Sequence, residues 1–246
     1  MSKNYISKMA LSDHLIDVIE MGVLSEVTKL LGLGVDINMP LVEEGLEGTE
    51  NVFYPLIHAT ARNFGAIVHV LLSAGANVDV RRDGGDTALI CACIENNFEI
   101  IQLLLKAGAD VNAANDEGIT PLIQSAIMGN ENSIYAVCLL LQAGADVNRA
   151  DKDNSTALHY ATLYSEDDDK SIAENIMQQL LRGGANANAQ DSGGETPLLQ
   201  CARDGFIEGV RLLLEYNADK SLCDKNGMTP RAHAEQNGHT DVAALL

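Results

Sequence analysis

Residues 85–112 read GDTALICACIENNFEIIQLLLKAGADVN, and the rest of the chain is built from variants of this stretch. It returns as GITPLIQSAIMGN followed, after a break, by CLLLQAGADVN ending at Asn148. A further copy, GETPLLQCARDGFIEGVRLLLEYNADKS, ends at Ser221. Aligned starts fall at Tyr54, Thr87, Thr120, Thr156, Thr196 and Thr229, giving steps of 33, 33, 36, 40 and 33 residues.

Each recurring residue has a local reason. Thr87, Thr120, Thr156, Thr196 and Thr229 stand where a hydroxyl caps a first helix. Pro121, Pro197 and Pro230 follow directly, because the missing N–H costs nothing at the first helical position. Pro55 keeps the proline while Tyr54 loses the cap. Gly34, Gly75, Gly108, Gly144 and Gly184 follow the second helix, where a left-handed residue ends it. Asn217 replaces glycine there in one copy, and Asn154 replaces the hairpin glycine of Gly85, Gly118, Gly194 and Gly227 in another, the substitution expected of a positive φ. One copy buries too little apolar surface to fold alone, so neighbours must stack into a common core.

This pattern, T-P/A-L followed by a leucine run and G-A-D/N, resembles the ankyrin repeat, a β-turn plus two helices in about 33 residues. The resemblance covers nearly the whole chain. It implies an all-α solenoid of stacked helix-turn-helix units joined by β-hairpin loops. Residues 1–38 read as an N-terminal capping repeat, with Leu15, Ile16, Val18 and Ile19 as the inner stripe of a first helix capped by Ser12 or Asp13. Residues 54–221 hold five internal repeats, and 222–246 form a C-terminal cap in which Arg231 replaces an outward leucine. The expected whole is an elongated monomer of seven helical pairs.

Two departures stand out. The linker spans eight residues from Asn112 to Thr120 but sixteen from Asn38 to Tyr54, so 39–53 reads as an inserted acidic finger or a plain surface loop. The longer third and fourth copies are expected to place their extra residues between paired helices, at Glu131-Asn132-Ser133 and around 165–170. The run Asp167-Asp168-Asp169 lacks the D-x-D-x-D-G loop of a calcium site and reads as solvated.

A net charge of −19, from 35 acids against 16 bases, argues against nucleic acid or an anionic membrane as the target. It suits a basic partner, or a solvated exterior. Five cysteines without a C-x-x-C pair fit a reducing compartment, and the sequence lacks a secretory h-region or an 18-residue apolar run, so a cytoplasmic location is expected. No nucleophile elbow, H-E-x-x-H or phosphate loop occurs. His159, in Thr156-Ala157-Leu158-His159, and His239, after Gly238, read as structural. No catalytic, metal or cofactor residue is assigned, and an enzyme is not expected.

The resemblance implies that a partner protein is bound by the hairpin tips and by the outward positions of the first helices. On the tips these are Asp116, Glu117, Ile119 and Asp153 among others. Seven and eight residues after each start, the middle copies carry Ile94-Glu95, Ile127-Met128 and Leu163-Tyr164, while the outer copies are polar. An apolar floor with an acidic rim has the anatomy of a protein-binding patch, with Tyr164 its first hot-spot candidate. The expected function is a non-enzymatic protein–protein interaction module. The alternatives are an inhibitor or immunity-type protein occluding a basic enzyme or toxin, and a regulatory subunit acting through the inserted loops.

Overall fold

The computed structural model describes residues 2–44, 50–163 and 170–246. The chain packs as two compact units, Met1–Asp116 and Glu117–Leu246.

In the first unit, α1 (Ser2–Glu20) and α2 (Leu24–Gly32) form the first helical pair. β1 (Leu41–Glu44) and β2 (Glu50–Phe53) follow, then α3 (Pro55–Ala61) with α4 (Gly65–Ser73), and α5 (Ala88–Ile94) with α6 (Phe98–Lys106). First helices pack in the order α1–α3–α5 and second helices in the order α2–α4–α6. In the second unit the pairs are α7 (Pro121–Met128) with α8 (Glu131–Gln142), α9 (Ala157–Ala161) with α10 (Lys170–Arg182), α11 (Pro197–Asp204) with α12 (Ile207–Glu215), and α13 (Pro230–Gln236) with α14 (Thr240–Leu245). They stack in the rows α7–α9–α11–α13 and α8–α10–α12–α14. The core lies between the rows: Leu56, Val68, Ile90 and Leu104 in the first unit, and Leu122, Leu140, Leu158, Ile176, Leu198 and Leu213 in the second, are buried.

The caps form as their chemistry demands. Ile90, Ile123, Leu199 and Ala232 donate their backbone N–H to the hydroxyls of Thr87, Thr120, Thr196 and Thr229 at 3.2–3.3 Å. Thr156 departs from this. Its hydroxyl lies 2.9 Å from Nδ1 of His159, and its backbone N–H donates to the same nitrogen at 3.1 Å. An amide only donates, so Nδ1 accepts and the ring proton sits on Nε2, which donates to the Glu195 carbonyl at 3.2 Å. The imidazole thus ties α9 to the following hairpin.

Burial lowers the pKa of His159 below its ordinary value. A base with a lowered folded pKa binds fewer protons folded than unfolded, so its stabilisation is present above pH ~6.5 and is lost as pH falls through the folded value. The wild type should therefore lose stability as pH falls below about 6.5, with a slope of up to about 1.4 kcal/mol per pH unit from this proton. His159→Gln, which keeps a capping-box side chain, should flatten that slope in urea titrations. An unchanged slope would assign the acid sensitivity to other groups.

Three local expectations need correction. α1 begins at Ser2, not near Ser12 or Asp13, because no Gly or Pro interrupts residues 2–11, and Ser12 is buried within the helix. The extra residues Glu131-Asn132-Ser133 are not a loop. Asn130 accepts from Ser133 N–H, and the Ser133 hydroxyl accepts from Asn130 N–H, so this capping box starts α8 a turn early and lengthens it to 12 residues. Of the residues around 165–170, Lys170 opens the 13-residue α10, and 165–169 lie outside the described residues.

The turn between paired helices is closed in two ways. Phe64 and His239, at the N-cap of α4 and α14, lie against Gly22 and Gly205 of the preceding pair. Where the preceding turn carries left-handed Asn63 instead, Asn97 both donates to the Asn63 side chain and caps Ile100.

The G-A-D/N-x-N ends join neighbouring copies through side chains. Asp110 N–H donates to Asp79, and Asn77 N–H to Asn38, at 2.9 and 2.7 Å. In the second unit Asn186 N–H donates to Asn148 and Asp219 N–H to Asn188, both at 2.7 Å. The two residues of each end therefore divide the work: the first orders its own turn, the second accepts from the next copy. The Asn112 N–H accordingly donates to the Asp110 carboxylate, two residues back.

Candidate functional site

The hairpins put their tips in register within each unit. In the first, Asp116 N–H donates to the Gly84 carbonyl at 2.9 Å. In the second, Lys152, Ser192 and Lys225 N–H donate to the Glu117, Asp153 and Gly193 carbonyls at 3.0, 2.7 and 3.0 Å. Each hairpin is closed internally as well, Asp151 N–H reaching the Ser155 carbonyl and Asp191 N–H the Glu195 carbonyl.

The acids of this ridge divide into two kinds. Asp151, Asp191 and Asp224 point inward and order their own turns. Oδ1 of each accepts two backbone N–H groups at 2.7–2.9 Å, from Asp153 and Ser155, Gly193 and Glu195, and Asn226 and Met228. The second oxygen of Asp151 accepts from the Tyr160 hydroxyl at 2.6 Å, and that of Asp224 pairs with His233 Nε2 at 3.1 Å. Burial, together with Asp151, raises the Tyr160 phenol well above its ordinary pKa. The Met228 N–H leads the hydrogen bonds that lower the Asp224 carboxyl. Asp83, Asp116, Glu117 and Asp153 are the exposed acids of the tips. Glu117 meets Lys152 at 3.5 Å, a surface pair of little energetic weight.

Of the residues expected to face a partner, Ile94 and Glu95 end α5 in the first unit, Ile94 half-buried and Glu95 exposed, with Asp116 at the tip. In the second unit Ile127 and Met128 end α7 and are half-buried, as is Ile119 on its hairpin. Leu163, just past α9, is 51 % exposed, an unusual state for a leucine amid a stacked row. α7 and α9 pack side by side, so Ile127, Met128 and Leu163 occupy matching register positions on neighbouring copies. Tyr164 lies outside the described residues. At the same register α11 carries Arg203, which is held by both oxygens of Glu195 at 2.5 and 2.7 Å and by Asp204 at 3.1 Å. The apolar stretch of the second unit thus gives way to a fixed ion cluster.

Cys91, Cys93 and Cys201 are buried packing residues, and burial pushes the Cys91 thiol up to about 11. Among the described residues no cluster of His, Cys, Asp and Glu is placed to hold a metal ion. No helix there is long and apolar enough to cross a membrane.

A family profile described as ankyrin repeats (3 copies) matches residues 15–115 and 169–246, and one described as ankyrin repeat matches 117–152. The chain belongs to the ankyrin-repeat family. Its ankyrin fold is all-α apart from the β1–β2 ribbon, and ankyrin repeats are generally protein–protein interaction modules. Potassium channel AKT3 of Oryza sativa subsp. japonica is 40 % identical over 86 residues, which is 35 % of this chain and 9 % of the channel. The human 2-5A-dependent ribonuclease is 48 % identical over 60 residues, 23 % of this chain and 8 % of that protein. A putative ankyrin repeat protein of Rickettsia felis is 40 % identical over 96 residues, 37 % of this chain and 40 % of its own length. The ankyrin chain therefore spans less than half of each of these relatives.

The sequence reading missed the inward carboxylates and their partners Tyr160 and His233. A signal was present: both partners lie four residues after the helix-start threonine, and both carboxylates five before it.

Proposed function

We propose that this ankyrin-repeat chain is a non-enzymatic module that binds another protein, with Ile127, Met128 and Leu163 as the apolar floor in its second unit. Glu117 and Asp153 on the neighbouring tips form its acidic rim, with Ile119 beside them. Ile94, Glu95 and Asp116 hold the equivalent positions of the first unit. The observation that carries this reading is the exposure of Leu163 beside two half-buried apolar residues in matching register. Loss of one copy's outward first-helix side chains leaves the core between the helix rows intact, so binding and stability separate.

Met128→Ser with Leu163→Ser should weaken the protein's partner by at least tenfold while the melting curve stays nearly unmoved. The measurement is capture of a binding protein from cell extract by wild type and double variant, followed by titration of the captured species. Undiminished binding, or a large fall in Tm, would remove these residues from the surface. Four exposed tip acids and a net charge of −19 favour a basic partner, including an enzyme or toxin that the module would occlude. Affinity falling steeply between low and high salt supports that partner, and a flat profile points to a chiefly apolar interface.

A further inference from the structure

Within the 39–53 linker, β1 and β2 pair as a two-stranded antiparallel ribbon, with Leu41 opposite Phe53 and Val42 opposite Val52, while 45–49 lie outside the described residues. Together with α1 and α3 this ribbon walls a cleft of about 170 Å³ lined by Ile16, Asp17, Glu20, Phe53, His58 and Arg62. Pockets for cofactors and drug-sized ligands run to roughly 300–1,000 Å³, so this one fits a single side chain. Ile16 is buried and makes the apolar base. Phe53 and His58 meet edge to face, 5.7 Å between ring centroids, and form an aromatic wall. Asp17 and Glu20 stand three residues apart on one face of α1, both exposed. Arg62 pairs with Glu20 at 2.5 Å, and both side chains are about half exposed. Asp17 is in no ion pair with it, so the lining carries one carboxylate more than its single cation compensates.

We propose that this cleft receives a lysine or arginine side chain of a partner protein, with Asp17 as its counter-ion. The methylene stem lies along Ile16 and Phe53 while the charged head reaches the carboxylates, the arrangement long cationic side chains adopt on amphipathic surfaces. The aromatic wall adds attraction for a cation that it withholds from an anion. Arg62 sets the strength, because an incoming cation competes with it for Glu20. The site lies in the first unit and stands independently of the surface proposed above.

The test uses the full chain, isotopically labelled, titrated with a terminally blocked Gly-Ser-Lys-Ser-Gly peptide and with its arginine, norleucine and glutamate counterparts. Saturable amide shifts are expected at Asp17, Glu20, Phe53 and Arg62 with the lysine or arginine peptide. Asp17→Asn should weaken that binding at least fivefold, and Arg62→Gln should strengthen it. Both substitutions are at exposed positions, and the unchanged spectrum elsewhere reports that the fold is kept. Equal shifts with norleucine, preference for glutamate, indifference to Asp17→Asn, or shifts spread over the whole acidic surface would each overturn the proposal.

Discussion

Phe206→Ala is expected to lower the stability of the chain by about 3–5 kcal/mol, the range for truncating a fully buried phenylalanine. Phe206 is the largest fully buried side chain among the described residues. Its ring lies against Gly209, where an added Cβ would come within 2.6 Å of Cδ1 and 2.8 Å of the Cys201 sulfur. Nothing smaller fills that space, and the backbone bonds of residue 206, from its N–H to the Cys201 carbonyl and from Val210 N–H to its own carbonyl, survive the change. The loss is therefore a cavity and not a broken cap. In a stack whose copies touch only their neighbours, such a cavity weakens the nearest pairs first. Urea titration should show the loss, and amide exchange should place it in α11–α14 ahead of α7–α8. A loss below about 1 kcal/mol would mean that the neighbouring helices close over the site.

Much of this fold could be read before any coordinates, because its local rules leave a mark on single residues. Asn154 and Asn217, the two residues expected to stand in for glycine, have φ of 58° and 60°. Four of the five threonine caps form through the hydroxyl, and at the fifth the hydroxyl and backbone N–H of Thr156 both meet Nδ1 of His159, three residues on. What the sequence hid was the choice between a loop and a longer helix. Glu131-Asn132-Ser133 carries polar residues suited to either, and the reciprocal Asn130–Ser133 bonds decide for helix. The start of α1 was hidden for a similar reason: Ser12 and Asp13 look like a cap, yet a continuous breaker-free run before them extends the helix.

For the candidate site, register was legible in the sequence and the roles of its acids were less so. Counting from the threonine gives the register of the outward first-helix row and of the tips, since both follow from the period. It could not sort the acids, because Asp151 and Asp153 are two residues apart in one turn and indistinguishable by composition. The backbone distinguishes them: Asp151 accepts the N–H groups of its own turn, while Asp153 is left to solvent and passes only its carbonyl to Ser192. A charge of −19 therefore overstates what the ridge presents to a partner.

The hairpin glycines give the second large effect. Gly118 has φ of +83°, and a Cβ there would lie 2.9 Å from Cα of Asp151 and 3.1 Å from N of Lys152. Both obstacles are main chain, and Lys152 N–H is bonded to the Glu117 carbonyl at 3.0 Å, so neither side can swing away. Gly118→Ala thus adds a left-handed penalty of about 1–2 kcal/mol to an overpacking cost of about 1–3 kcal/mol, for a total near 2–4 kcal/mol. Gly227 occupies the same position in the last hairpin with φ of +77° and open space around it, so Gly227→Ala should cost only the first part, about 1–2 kcal/mol. Equal losses in paired urea titrations would show that the close approach to Asp151 carries no weight. Because Gly118 sits between Glu117 and Ile119, prising the two hairpins apart also displaces the rim residues proposed to meet the partner. Gly118→Ala should accordingly weaken partner binding at temperatures where the variant is still folded, and Gly227→Ala should leave binding unchanged.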